Sequence, residues 1–100
     1  MKINFSQKLL NLYGETIVDE ASKNPLTLSK VCVEALLAND RNENIDGVEK
    51  LRRFELAKAI HEGKKDSLSA EETVLLKELV AKYFSTLVVG QALPMLDSSD

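Results

Sequence analysis

Nucleophilic chemistry in this chain would have to run through Cys32, its single thiol, and His61, its single histidine. Such a pair works only when the two side chains are in contact and a third group orients the imidazole. Nothing in the sequence brings them together. Cys32 falls on the apolar face of a predicted helix, where a thiol behaves as a small hydrophobe. His61 falls in the last turn of another, where an imidazolium suits the negative end of the helix dipole. Glu71 and Glu72 are adjacent, so on a helix they point apart and make no acid–base pair.

Metal chemistry has one candidate. The run Asp40-Arg41-Asn42-Glu43-Asn44-Ile45-Asp46 offers oxygen ligands at every second position, as the loop of an EF-hand does. Ile45 stands where that loop needs glycine to turn, and Leu51 where a bidentate glutamate must close the shell. The run is therefore expected to be a solvated loop that caps the following helix. No catalytic residue, metal site or cofactor is expected, and the chain is read as a non-enzyme.

Two constellations point to binding. Lys50, Arg52, Arg53, Lys58, Lys64 and Lys65 outnumber Glu49, Glu55 and Glu62, which gives residues 48–65 a charge of +3 and leaves −6 for the rest of a chain whose net charge is −3. Such a patch suits an acidic protein surface or nucleic acid. The overall acidity and the interleaved signs favour a solvated helix face and disfavour nucleic acid. The second constellation follows Lys82, after which fourteen residues carry no charge. Phe84, Leu87, Val88, Val89 and Met95 form an apolar face there, either core or a docking surface for a protein. A helix-turn-helix reading of residues 69–93 fails, because Leu87-Val88-Val89-Gly90-Gln91-Ala92-Leu93 has no cation to grip phosphate.

The elements that must position these residues are mainly helical. In residues 1–19, Tyr13-Gly14-Glu15 reads as a turn between Leu9-Leu10-Asn11-Leu12 and Thr16-Ile17-Val18, which predicts a β-hairpin. The alternative is a short helix capped by Ser6 and ended by Gly14, burying Leu9, Leu10 and Tyr13. Asn24-Pro25 marks a loop. Thr27 or Ser29 then caps a helix over 27–38 whose Leu28, Val31, Cys32, Ala35 and Leu36 share one face. Asp46 with Glu49 starts a helix over 47–62, ended by Gly63. Its Val48, Leu51, Phe54, Ala57 and Ile60 spiral round the axis, as in a helix packed on different neighbours at its two ends.

Ser69 with Glu72 opens a third helix over 70–84, whose broad apolar face suggests the central element of the fold. A bend at Ser85 or Thr86 leads to a fourth over 86–96, or the third continues with a kink; Pro94 would press on the carbonyl of Gly90, and Gly90 invites close approach of another backbone. Residues 97–100 are expected to be a frayed acidic tail. The fold class is thus mainly α (α+β), an N-terminal β-hairpin followed by a three- to four-helix bundle in one domain over residues 1–96.

With 100 residues, 29% charged and 44% hydrophobic, the chain has the composition of a small globular domain. A domain of this size buries only roughly 60 to 65% of its unfolded surface, so a partner or a second copy would add usefully to its stability. A lone cysteine, the absence of an apolar leader after Met1, and an uncharged stretch too short to span a bilayer predict a cytoplasmic protein without a membrane partner.

The segments Leu26-Thr27-Leu28-Ser29-Lys30-Val31-Cys32-Val33-Glu34-Ala35-Leu36-Leu37 and Leu87-Val88-Val89-Gly90-Gln91-Ala92 resemble small accessory proteins encoded by tailed bacteriophages and prophages. The likeness extends to Met1-Lys2-Ile3-Asn4-Phe5 and to the helix around residues 49–60. It implies an accessory or assembly factor in the cytoplasm of a bacterial host, compatible with virion association, that binds a phage or host protein or itself. No functional residue transfers with it.

Overall fold

In a computed structural model the protein is described over residues 3–19, 21, 23–38 and 44–97. Four helices follow one another: α1 (Leu28–Leu37), α2 (Gly47–His61), α3 (Ala70–Tyr83) and α4 (Thr86–Asp97). The chain is mainly helical, and no β-strand occurs among the described residues. Residues 40–43 of the calcium-like run and 98–100 of the expected tail lie outside them.

No strand of the expected hairpin is found among the described residues. Residues 8–27 make three isolated antiparallel bridges, pairing Lys8 with Thr27, Leu10 with Thr16 and Val18 with Pro25. The reason is a closed ring of main-chain hydrogen bonds: Leu9 N–H donates to the Leu26 carbonyl at 2.9 Å, Leu26 N–H to Ile17 at 2.8 Å, and Ile17 N–H to Leu9 at 2.9 Å. Around Leu10 and Thr16 the pairing is that of a hairpin, with Asn11 N–H donating to the Glu15 carbonyl and Ile17 N–H to Leu9 on either side of a non-hydrogen-bonded pair. Beyond it Leu9, Ile17 and Leu26 each divide donor and acceptor between the other two, so a third segment joins and the pairing does not extend into a strand. Leu9 is fully buried and Leu26 nearly so. The short-helix alternative is absent too, since Tyr13 is exposed in a turn.

This N-terminal segment also completes α1. The first amides of a helix have no partner within it. Leu28 N–H donates to the Gln7 carbonyl and Ser29 N–H to Phe5, while the Thr27 hydroxyl accepts from Lys30 N–H. Residues 3–9 thus act as an extended cap, anchored further by Ile3 N–H on the Asp66 carbonyl.

The hub of the fold is α1, which packs against α2, α3 and α4, whereas α3 packs against α1 and α4. This corrects the expectation that the helix starting at Ser69 is central. Leu28, Val31, Cys32 and Ala35 are wholly buried, and the small Cys32 and Ala35 let neighbouring helices approach. On α3 only Leu76, Leu79 and Val80 are buried, while Val74 is exposed.

Local chemistry sets the helix ends. Ser69 Oγ accepts from Glu72 N–H, and the Glu72 carboxylate accepts from Ser69 N–H, a complete capping box. Asp46 caps α2, but Glu49 turns to Arg53 at 3.0 Å and Arg52 at 3.5 Å. At the far end of α2, Gly63 takes a φ of 72°. There Gly63 N–H reaches Ile60 and Lys64 N–H reaches Ala59, the bond pair of a Schellman stop. The chain breaks helix at Phe84, and α4 turns Val88, Ala92 and Leu96 inward.

Only the C-terminal half of α2 is packed as its spiral suggested. Leu56, Ala57 and Ile60 are buried, but Val48, Leu51 and Phe54 remain exposed. Among helices α2 packs on α1 alone, and at its C-terminal end Ile60 and His61 border the N-terminal Ile3 and Phe5.

Candidate functional site

The uncharged C-terminal segment divides by depth. Val88 is buried, and Phe84, Leu87, Val89 and Met95 are half-buried, with Phe84, Val89 and Met95 packed against the core. Leu87 differs from the rest of this set because, with Thr86, Gly90 and Gln91, it lines an open groove of about 680 Å³ against Leu10, Asn11, Leu12 and Gly14. A side chain added at Gly90 would meet open space, so this glycine serves no close backbone approach.

The opposite wall is built by Asn11. Its Oδ1 accepts from Tyr13 N–H at 2.8 Å and from Glu15 N–H at 3.0 Å, and its carbonyl accepts from Gly14 N–H. Gly14 closes the turn at a φ of 83°, a conformation costly for side-chain-bearing residues. The result is a tight projection with Leu12 91% and Tyr13 88% exposed at its tip. Gln91 clamps this projection to α4: its Oε1 accepts from Leu10 N–H at 2.6 Å, and its Nε2 donates to the Leu10 and Leu87 carbonyls.

Leu10, Leu12, Tyr13 and Gln91 are absent from the sequence-derived site. A signal did exist, because Leu12-Tyr13 sits between turn-forming Asn11 and Gly14, where two large apolar residues have no local purpose. Reading residues 1–19 as a hairpin placed Leu12 in an arm and Tyr13 in its turn, with no surface role for either.

The cations of residues 50–65 differ in how far carboxylates engage them. Arg53 is buried and paired with Glu49. Arg52 reaches Glu49 and Glu71, Lys64 reaches Glu62, and Lys65 reaches Glu72 at 3.1 Å. Lys50 and Lys58 are exposed on α2 and pair with no described carboxylate. Burial pushes the Glu72 carboxyl up, but its bonds from Ser69 and the Lys65 ammonium outweigh this and hold it below its usual range.

Cys32 and His61 are not brought into a reactive pair: the thiol is wholly buried in α1 and the imidazole is exposed at the end of α2. Burial pushes the thiol up to about 12, which removes the thiolate at neutral pH. Among the described residues no three His, Cys, Asp or Glu side chains converge on a common point, and no described helix is long and apolar enough to cross a membrane. What the surface offers is an apolar groove beside a rigid projecting turn, an arrangement suited to gripping another apolar segment. No protein-family model, curated protein or solved structure matches the chain.

Proposed function

We propose that the protein is a non-enzymatic protein-binding factor whose groove between the Asn11 turn and α4 receives an apolar segment of a partner. The observation that carries this reading is the exposure of Leu12 and Tyr13 at the tip of a turn fixed by Asn11 and clamped by Gln91. Exposed apolar side chains held rigidly lose little conformational entropy on binding, which favours their use as anchors. Leu87, Gly90 and Gln91 lie both in this groove and in a segment that resembles tailed-phage and prophage proteins. The partner is accordingly a phage or host protein, and the site of action the cytoplasm of a bacterial host. The basic face of residues 50–65 is less suited to nucleic acid, because Arg52, Arg53, Lys64 and Lys65 are engaged by carboxylates.

The test is site-specific photocrosslinking in producing cells. A photoreactive residue in place of Tyr13 should give a discrete adduct that disappears when Leu12→Asp is added. The same residue in place of exposed Lys82 should not give that adduct. Equal adducts from both positions, or none from position 13, would overturn the assignment.

A further inference from the structure

Gly90 and Pro94 both weaken a helix, yet α4 contains the two, four residues apart and in one row with Thr86. Packing within the molecule explains neither. Beyond its own helix, no described atom lies within 4 Å of where a Cβ on Gly90 would stand, and Pro94 is exposed.

Together the two residues change one main-chain group. A carbonyl in an α-helix ordinarily accepts from the N–H four residues on. Pro94 has no N–H, so the Gly90 carbonyl lacks that partner, and the proline ring crowds it further. Gly90 is exposed and lines the groove with Thr86, Leu87 and Gln91. An acceptor without its helical donor therefore stands in the α4 wall, with no side chain of its own to shield it.

This acceptor sets a requirement on whatever covers the groove. Water satisfies the carbonyl in the open groove, and an occupant that expels the water must bring a donor or leave the group unpaired. The neighbouring acceptors are already engaged, Gln91 Oε1 by Leu10 N–H and Asn11 Oδ1 by Tyr13 and Glu15 N–H. No charged residue lines the groove, so an ion entering it would lose its hydration without gaining an opposite charge.

We infer that the groove recognises an uncharged, apolar segment that donates one main-chain N–H to the Gly90 carbonyl, with Gly90 and Pro94 as its specificity-determining pair. This rests on the groove being the binding site and adds the hydrogen bond by which it selects its occupant. A main-chain donor is favoured because the missing Cβ lets another backbone come to contact distance. A side-chain donor could reach across a methyl group and would not need glycine there.

Two substitutions that strengthen the helix test the pair, read by the crosslink from position 13 in producing cells. Gly90→Ala should raise the melting temperature by about 2 to 8 °C yet lower the adduct yield by about tenfold or more. Pro94→Ala restores the N–H that occupies the Gly90 carbonyl, and should also raise the melting temperature while lowering the yield by about threefold or more. Gly47 likewise faces open space but begins α2, so Gly47→Ala should leave the adduct unchanged.

An adduct that Leu12→Asp abolishes but Gly90→Ala and Pro94→Ala leave intact would overturn the inference and keep the groove. No adduct from the native chain would overturn both. Loss with Pro94→Ala alone would mean a side-chain donor and refute the main-chain approach. A lower melting temperature for Gly90→Ala, or an equal loss of adduct with Gly47→Ala, would show that the glycine serves the fold and not the partner.

Discussion

Gln91 pairs with the main chain of Leu10 as a neighbouring strand would, its Oε1 accepting from the Leu10 N–H and its Nε2 donating to the Leu10 carbonyl. One side chain thereby joins α4 to the projecting turn and fixes the width of the groove. Gln91→Ala should cost about 1 kcal/mol, or roughly 4 to 8 °C in melting temperature, because both Leu10 groups can turn to water. Hydrogen exchange at the Leu10 amide should accelerate in the variant. Unchanged melting and unchanged exchange would show that the clamp is not formed in solution.

Depth along α4 separates two substitutions of the same chemistry. Val88 is 8% exposed and packs in the core, so Val88→Asp should bury an unpaired carboxylate and cost more than about 3 kcal/mol. Leu87→Asp faces the groove and should leave a folded chain with a loss of about 1 kcal/mol. Thermal melts followed by circular dichroism compare them directly. Equal losses would mean that α4 is rotated from the orientation described.

Tyr83 carries a buried hydroxyl with no hydrogen-bond partner among the described residues, while Lys82 Nζ lies 5.4 Å from its ring centre. An unsatisfied buried hydroxyl is a net cost, and the ring contact survives its removal. Tyr83→Phe should therefore be neutral or stabilising by up to about 1 kcal/mol in urea unfolding. A clear destabilisation would reveal a partner for the hydroxyl.

The Glu72 carboxyl sits below its ordinary value of 4.5 in the folded chain, through Ser69 and Lys65 and against the opposing effect of burial. A lowered folded value means that folding favours the ionised form, so its contribution is complete above the unfolded value and fades as pH falls through the folded one. The native melting temperature should decline on acidification from about pH 5 to about pH 3 more steeply than that of Glu72→Gln, the two converging in acid. Because the carboxylate remains partly solvated, the difference at neutral pH should be small. Parallel curves would contradict the coupling.

The mainly helical class was legible because its determinants are local. Thr27, Asp46 and Ser69 each cap a helix through their own side chain, and Gly63 ends α2 through its own φ. The N-terminal arrangement was not legible, because the ring through Leu9, Ile17 and Leu26 adds to the two hairpin arms a third segment, just past Asn24-Pro25, whose composition marks a loop. The hub was misplaced for a related reason. A wide apolar face on α3 suggests a central helix, yet Leu75 and Tyr83 of that face are only half-buried while the narrower stripe of α1 is covered. Of the candidate surface, Leu87 could be found from its place in an uncharged run. Leu12 and Tyr13 become recognisable as surface anchors only when the Asn11 turn is seen to project.

The most direct test of groove-mediated binding is calorimetric affinity for the partner captured through position 13, measured for the native chain and for Leu12→Asp. Between about 50 and 500 mM salt the native dissociation constant should change by less than about threefold, since apolar contact is weakly screened. At either salt concentration Leu12→Asp should raise it by at least about tenfold. A native complex that weakens by about a hundredfold with salt and is indifferent to Leu12→Asp would contradict the groove and place binding on the basic face of α2.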